Sequence, residues 1–343
     1  MKLTDEAPVI ITPARLSYGV LGVTIILAGL LHLGTPLLAV LFSYLALRQS
    51  YFLTKRKWLA LILFGVVVTG TAAAGAYFTR AAILALPDVA DTSIPPASAW
   101  AQKRQIELPF TDFESLREVV IDTLKQEAHY LQNFAHLAGS TTALLVFTVI
   151  GIVAAGSLFF KTGLDPYRGT HPVKNNLYSI CCDEVSTRFR DFYRSFATVI
   201  GAQITISLIN TILTAIFVIA VRLPHAPLII AITFLCGLVP IVGNLVSNTI
   251  IVFLALTVSL KLGIGALVFL VGIHKLEYFL NSKIIGDRIR NPVWLTLIAL
   301  IIGERLMGIP GLILAPVVLN YLRVEMLTVE VPPVTEKVES LNR

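Results

Sequence analysis

The chain has 343 residues and a net charge of +6, and 56% of its residues are hydrophobic while only 14% are charged. Soluble domains average about 25% charged residues and about 45–50% apolar ones. With a mean hydropathy of +0.80, the composition therefore excludes an ordinary soluble domain and predicts an integral membrane protein. The positive charge does not indicate a nucleic-acid partner, because the Lys and Arg residues stand in short loops beside apolar runs, as the residues that orient membrane helices do.

The first apolar run, Leu16 to Leu33, leads without a cleavage motif into a second run, Pro36 to Leu47. We therefore interpret the first run as a retained membrane helix rather than a signal peptide. The second run has about 12 residues, or roughly 18 Å of helix, which is short of the ~30 Å hydrocarbon core. It is predicted to be re-entrant or tilted. Basic residues at 48–57 then place this end of the hairpin in the cytoplasm, and Leu59 to Phe78 is predicted to cross outward.

Residues 80–140 form the least hydrophobic part of the chain and are predicted to be an extracytoplasmic insert. Its first part is predicted as a loop because it contains three prolines, Pro87, Pro95 and Pro96. A capping box at residues 111–114 follows, and apolar residues at helical spacing come after it. This pattern predicts an amphipathic helix from Asp112 to Ala138 that packs on its own protein or on a neighbouring subunit. A ligand-binding domain is the alternative.

The chain then returns inward through Thr141–Phe160 to a positively charged segment, residues 161–194. The end of this segment, Val185 to Phe196, carries apolar groups on one face and arginines elsewhere, which is typical of an interfacial helix. It leads into an outward crossing, Thr198–Val221. The predicted organisation is N-terminal membrane helices (1–79), the insert (80–140), a helix with the interfacial segment (141–197), a transport core (198–323) and a cytoplasmic tail (324–343).

Two apolar stretches of the core are interrupted by proline and glycine. Pro227–Leu260 is broken by GLVPIVGN, and Val293–Leu322 is broken by GERLMGIPG. Each arm has about 12–17 residues, or roughly 18–25 Å of helix, and so does not comfortably span. We therefore predict two re-entrant hairpins with tips at Pro240 and Pro310, although two fully spanning hairpins would leave the same end points.

A crossing helix precedes each hairpin, and the two crossings run in opposite directions. Thr198–Val221 goes outward before the first hairpin, and Gly263–Leu280 goes inward before the second. Such an inverted repeat is the plan of many secondary transporters, in which broken helices mark the binding site. The predicted fold class is an all-α polytopic membrane protein with about eight hydrophobic segments and both termini in the cytoplasm.

Polar and ionisable residues inside membrane segments are costly, so each is a candidate for function. The candidate substrate-binding or coupling residues are Gln203, Asn210, Pro240, Gly243, Asn244, Asn248, Glu277, Glu304, Arg305 and Pro310. The prolines and glycine open the backbone so that its carbonyls and amides can act as ligands, and the other side chains offer amide and charged groups.

Each polar candidate also has a structural interpretation. Gln203 and Asn210 are seven residues apart on one helix face and could bond neighbouring helices instead of lining a path. Asn244 could cap a helix. Glu277 could form an interfacial pair with a nearby lysine, and Glu304 could simply pair with its neighbour Arg305.

Motifs of soluble catalysis are not found in the sequence. There is no Walker loop, no HExxH and no Gly-x-Ser-x-Gly elbow, and the three cysteines, Cys181, Cys182 and Cys236, have no disulfide or metal-ligand spacing. The sequence therefore predicts a protein that is not an enzyme, with no cofactor and no bound metal.

From about Gly201 to Arg323 the chain resembles the autoinducer-2 exporter-like family of bacterial membrane proteins. The residues that carry the resemblance are the Gly201-Ala202-Gln203 element, the VPIVGN tip, the run Lys283-Ile284-Ile285-Gly286 followed by Pro292, and Gly303, Gly308, Gly311 and Pro316. The N-terminal half matches in layout only. The resemblance implies an eight-segment transporter of the bacterial cytoplasmic membrane that forms a homo-oligomer.

The function expected from this resemblance is efflux of a small polar solute, such as a quorum-sensing signal, by alternating access. Some relatives are linked to sodium/proton antiport, so Na⁺ and H⁺ are the alternative substrates. An alternative of a different class is a non-transporting membrane scaffold built on the predicted Asp112–Ala138 helix. The expected partners are the solute or ions, the lipid bilayer and further copies of the chain, and no nucleic acid.

Overall fold

The computed structural model describes residues 13–31, 33–102, 114–115, 118, 145–160, 164–165, 170–173, 176–240, 242–280 and 292–328. The helices are, in chain order, α1 (Pro13–Leu30), α2 (Gly34–Thr54), α3 (Lys57–Gln102), α4 (Leu145–Phe160), α5 (Leu177–Ala220), α6 (Ala226–Gly237), α7 (Val242–Val258), α8 (Leu260–Leu280), α9 (Val293–Met307) and α10 (Ile309–Thr328). No strand occurs in these residues, and the predicted all-α fold is confirmed.

The described helices have the length and surface of membrane helices. Four segments are long and apolar enough to span a bilayer, namely Gly34–Thr54, Lys57–Ala85, Leu177–Ala220 and Ile309–Thr328, and four shorter apolar helices accompany them. Large apolar side chains are exposed, such as Ile26 at 61% and Ile62 at 57%, while polar ones such as Thr214 are buried. Extensive exposed apolar surface marks contact with lipid or partners rather than with water. The prediction of a polytopic membrane protein is confirmed.

A first core joins the N-terminal helices to the C-terminal one. It contains Leu21 of α1, Leu41 of α2, Phe196 of α5 and Val317 of α10, all buried. Aromatic rings meet edge to face there, as between Phe42 and Phe196, whose centroids are 5.2 Å apart. The N-terminal half of α5 therefore packs against helices from both ends of the described chain.

A second core surrounds the first hairpin. It contains Val218 at the end of α5, Ile229 of α6, Ile251 of α7 and Leu270 of α8. Between α6 and α7 the helix is interrupted at Leu238–Pro240, where the sequence predicted the break. At 12 residues, α6 is about 18 Å long, so the hairpin interpretation fits this arm.

The second broken segment turns at a glycine and not at the predicted proline. Helix α9 ends at Met307, and Gly308 has a φ of +64°, a backbone conformation that favours glycine. Pro310 stands in the first turn of α10, where proline is tolerated because its missing N–H has no partner in that turn. The prediction of a tip at Pro310 is therefore wrong by two residues. The opposite orientation of the two hairpins in the membrane stays a prediction.

Two predicted boundaries near the N-terminus are also wrong. Helix α2 has 21 residues rather than about 12, because the helix continues through the polar residues after Leu47, and at roughly 31 Å it is long enough to span. Helix α3 runs to Gln102 through the segment predicted as a loop. Alanine, the strongest helix former, occurs there at Ala81, Ala82, Ala85, Ala90, Ala97 and Ala99. Each interior proline costs about 3 kcal/mol through a lost hydrogen bond and a clash with the carbonyl four residues earlier, so the alanines alone do not explain why the helix continues.

The predicted interfacial helix and the following crossing are one element. Helix α5 has 44 residues without interruption, so the predicted boundary at 197/198 falls inside it. Likewise α10 extends to Thr328, past the predicted start of the tail at 324. The predicted Asp112–Ala138 helix with its capping box, the basic turn 281–291 and the tail beyond Thr328 lie outside the described residues, apart from residues 114–115 and 118.

Candidate functional site

The tip of the first hairpin is held against α5 by side-chain hydrogen bonds. Gln203 donates from Nε2 to the carbonyl of Gly237 over 2.6 Å, and Ser207 donates from Oγ to the carbonyl of Phe234 over 2.8 Å. Both carbonyls belong to the last turn of α6, where no later amide of the helix can reach them. In a membrane such groups must be satisfied by protein. Gln203 therefore satisfies a backbone carbonyl of the first hairpin.

The two arms of this hairpin approach each other closely at Gly243. A Cβ built at Gly243 would collide with the backbone carbonyl of Cys236, so the arms can pack at this distance only because the residue is glycine. Pro240 is partly buried in the break itself. These candidates have a clear structural role in the tip.

Just beyond the tip, a carboxamide and a carboxylate from different elements meet. Asn244 of α7 donates from Nδ2 to Oε1 of Glu277 of α8 over 2.7 Å. Asn210 of α5 is a further polar neighbour of the same carboxylate, and Asn210 is 6% exposed. The Glu277 side chain is 15% exposed. Three elements therefore converge on one carboxylate, and we refer to Asn210, Asn244 and Glu277 as the Glu277 cluster.

His274 stands at the outer edge of the Glu277 cluster. Its Nδ1 is 3.8 Å from the other carboxylate oxygen of Glu277, and its side chain is 56% exposed. The two residues are three apart on α8, which puts them on one helix face. Through this contact, the largely buried carboxylate of Glu277 lies next to a side chain that is exposed on the protein surface.

The Glu277 cluster has the chemistry to bind a proton, a cation or a polar solute. An ionised carboxylate only accepts hydrogen bonds, while each carboxamide both donates and accepts. The Asn210 Oδ1 atom is buried and has no hydrogen-bond partner among the described residues. Buried acceptors are normally satisfied, so the Asn210 carboxamide keeps an acceptor that no described residue uses.

No hydrogen bond or ion pair between described residues joins Glu304, Arg305 or Pro310 of the second broken segment to the Glu277 cluster. The Glu304 side chain is 55% exposed and that of Arg305 is 85% exposed, and the two form a loose pair at 3.9 Å. Pro310 lies against Gly34 of α2, where an added methyl group would collide with it. Asn248 is partly buried one turn beyond Asn244. For Glu304 the geometry favours the structural interpretation.

One charged cluster was missed by the sequence predictions. Arg188 of α5 forms an ion pair with Glu325 of α10, and Tyr18 of α1 donates to the same carboxylate over 2.6 Å. The Arg188 guanidinium also lies 4.3 Å from the centre of the Tyr18 ring. An acidic residue inside the apolar C-terminal helix was the available signal, because such a residue needs a partner.

Among the described residues, no group of three His, Cys, Asp or Glu side chains is arranged to hold a metal ion. Asp165 instead accepts from Ser179 Oγ over 2.6 Å and contacts His171 Nε2 at 3.0 Å. This arrangement anchors the start of α5, which Asn176 caps by accepting from the Ser179 amide over 2.8 Å.

Comparison with known proteins gives two matches. The profile of the AI-2E family transporter matches residues 20–328. The chain is also 28% identical over 183 residues to "Putative transport protein YdbI" of Bacillus subtilis (strain 168), an alignment that covers 53% of this chain and 52% of that protein. The chain thus spans about half the length of this curated relative. No solved structure matches the chain.

Proposed function

Because the chain belongs to the AI-2E transporter family, we propose that this transporter is a secondary transporter that exports a small polar solute, with the Glu277 cluster as its binding site. The observation that carries the proposal is the Asn244–Glu277 hydrogen bond of 2.7 Å. It joins a broken hairpin to a membrane helix through a carboxylate, and broken helices and membrane carboxylates both mark transport sites.

The contact is well suited to alternating access. A movement of the first hairpin relative to α8 must break the bond between Asn244 and Glu277, because its two ends lie on different elements. A solute or cation that replaces the lost partner stabilises the separated arrangement, since a ligand shifts an equilibrium only through its different affinities for the two states. The Gln203 bond to Gly237 would be exchanged in the same movement.

Sodium/proton antiport is the second candidate, and the His274–Glu277 pair favours it. A carboxylate can release a proton on one side of the membrane and take up a cation on the other. The exposed imidazole of His274 lies 3.8 Å from this carboxylate and has two ring nitrogens that can exchange protons with it. The carboxamide oxygens of Asn210 and Asn244 are hard donors of the kind that suit cations such as Na⁺.

Flux measurements in proteoliposomes test both candidates. Glu277→Gln keeps the shape of the side chain and removes its charge, and Glu304→Gln is the matched control because Glu304 has only a loose, exposed pair. Vesicles in one set carry a pH-sensitive dye and receive a sodium gradient. Vesicles in the other set are loaded with autoinducer-2 as the probe solute, and its release is measured directly. We expect Glu277→Gln to lower flux at least tenfold and Glu304→Gln to lower it less than twofold.

Antiport and solute export are distinguished by which signal is lost in the variant, proton release or solute flux. Sodium-driven proton release that is lost in Glu277→Gln supports antiport. Solute flux without an ion response, also lost in that variant, supports solute export. If both variants transport like the original protein, the Glu277 cluster is not the transport site.

A further inference from the structure

A cavity of about 950 Å³ lies between α2, α3 and α5. It shares α5 with the Glu277 cluster but contains none of the three residues of that cluster. Its walls are mostly apolar and include Phe42, Phe64, Val68 and Ala197. The volume is at the upper end of the range of about 300–1,000 Å³ for ligand pockets. Phe52 of the lining is 64% exposed, so the cavity opens to the surface of the helix bundle.

Positive charge is concentrated at one end of this cavity. Arg48 of α2 and Arg194 of α5 both line it. The Lys55 ammonium is 4.0 Å from the centre of the ring of Phe52, which is also in the lining. The acidic group that faces this end is Asp191, which accepts from Arg194 over 3.1 Å at an exposed position. Among the described residues, two arginines of the lining and the nearby Lys55 stand against this one carboxylate, which leaves this end positive.

A polar atom points to a ligand at the same end. The side chain of Tyr193 lines the cavity and is 7% exposed, and its hydroxyl makes no hydrogen bond of normal geometry to a described residue. Arg48 lies 5.6 Å from the centre of its ring. The buried hydroxyl interacts with the Arg48 side chain. A hydroxyl donor next to a guanidinium suits an anionic group with several acceptor oxygens.

We propose that this cavity binds one anionic phospholipid. The acyl chain lies along the apolar wall, and the phosphate lies between Arg48 and Arg194 with the Tyr193 hydroxyl donating to it. Basic pockets between membrane helices bind anionic headgroups in this way. The combination of an apolar wall and a cationic end matches an amphiphile better than it matches a small ion or an uncharged chain.

The identity of the bound molecule is tested on the purified transporter in detergent. Native mass spectrometry counts bound lipids, and thermal unfolding measures stabilisation, with three probes: phosphatidylglycerol, phosphatidylcholine with the same acyl chains, and glycerol phosphate without a chain. We expect retention of one phosphatidylglycerol per chain, weaker retention of phosphatidylcholine and no stabilisation by glycerol phosphate.

Two kinds of variant separate the headgroup from the acyl chain. Arg48→Gln and Arg194→Gln should each weaken phosphatidylglycerol binding about fivefold, as expected from ~1 kcal/mol per basic residue near an anionic lipid surface. Arg222→Gln removes an exposed arginine that does not line the cavity and should leave binding unchanged.

Gly201→Leu fills the cavity without touching its charges. Gly201 lines the cavity, and a Cβ there meets no atom within 4 Å. We expect this variant to lose the retained lipid. Gly156→Leu on α4 is the control, since a Cβ there is equally unobstructed and the residue is not in the lining.

Three results would overturn the proposal. The first is equal retention of both phospholipids in the original protein and all variants. The second is stabilisation by glycerol phosphate alone, which would indicate a free phosphate. The third is a Gly201→Leu variant with an unchanged lipid count and a changed oligomeric mass, which would show that a second copy of the chain fills the cavity.

Discussion

At the scale of single residues, Gly243 decides how closely the arms of the first hairpin approach. The carbonyl of Cys236 occupies the space where any other residue at 243 would have its Cβ. The neighbouring Asn244 provides the hydrogen bond to Glu277. The packing of one glycine thus sets the position of the carboxamide in the Glu277 cluster.

We therefore expect Gly243→Ala to separate the arms and to lower the free energy of unfolding by about 1–3 kcal/mol, the usual cost of overpacking. Thermal unfolding in detergent measures the loss. In a background in which Cys181 and Cys182 are replaced by Ser, faster thiol labelling of Cys236 would report the opening of the hairpin itself.

The matched control for this change is Gly265→Ala on α8. A Cβ at Gly265 meets no atom within 4 Å, and alanine is a better helix former than glycine by up to about 1 kcal/mol. The control should be as stable as the original protein or slightly more so. Equal behaviour of the two variants would contradict the close approach at Gly243.

At the scale of elements, the turn between α9 and α10 depends on Gly308 rather than on Pro310. The backbone of Gly308 has a φ of +64° and a ψ of −139°, a combination that is almost confined to glycine. Nothing lies within 4 Å of a Cβ built there. The cost of any substitution at Gly308 is therefore conformational and not steric.

A pair of alanine variants tests this assignment. Gly308→Ala should lower the free energy of unfolding by about 1–3 kcal/mol, the cost of an unfavourable backbone region. Pro310→Ala should change it by less than about 1 kcal/mol, because Pro310 occupies a helix position where proline fits. Urea titration in mixed micelles measures both. A larger loss for Pro310→Ala would restore the proline as the residue that makes the turn.

The breaks between elements were predictable, whereas the extent of some elements was not. Proline and glycine act on their own backbone, so the interruptions near residues 240 and 308 could be located within a few residues from the sequence. Helix α3 was predicted to end at Phe78 because the prolines that follow disfavour a helix, and no local pattern indicated that the helix continues to Gln102. The contact of Asn244 with Glu277 joins residues 33 positions apart. Both were candidates, but their pairing depends on how the hairpin folds back, which no local pattern specifies.

At the scale of the whole molecule, the cluster of Tyr18, Arg188 and Glu325 joins the two ends of the described chain. Its hydrogen bonds connect residues separated by 307 and 137 positions. The side chains of Arg188 and Glu325 are 17% and 11% exposed, so removal of one charge leaves the other largely desolvated. Helices α1, α5 and α10 also share a hydrophobic core. The cluster adds a hydrogen bond and an ion pair between the same three helices.

We expect Glu325→Gln to lower the free energy of unfolding by about 3 kcal/mol, the low end of the cost of an unpaired buried charge. The low end applies because Arg188 keeps a second carboxylate, that of Glu184, at 3.6 Å. The double variant Arg188→Met with Glu325→Leu removes both charges and should recover most of this loss. Glu304→Gln, in an exposed pair, should stay within about 0.5 kcal/mol. Thermal unfolding in one detergent compares these proteins with the single variants Arg188→Met and Glu325→Leu. A double variant as unstable as the sum of these two single variants would mean that the residues act separately. The ends of the described chain would then be held by the apolar core alone.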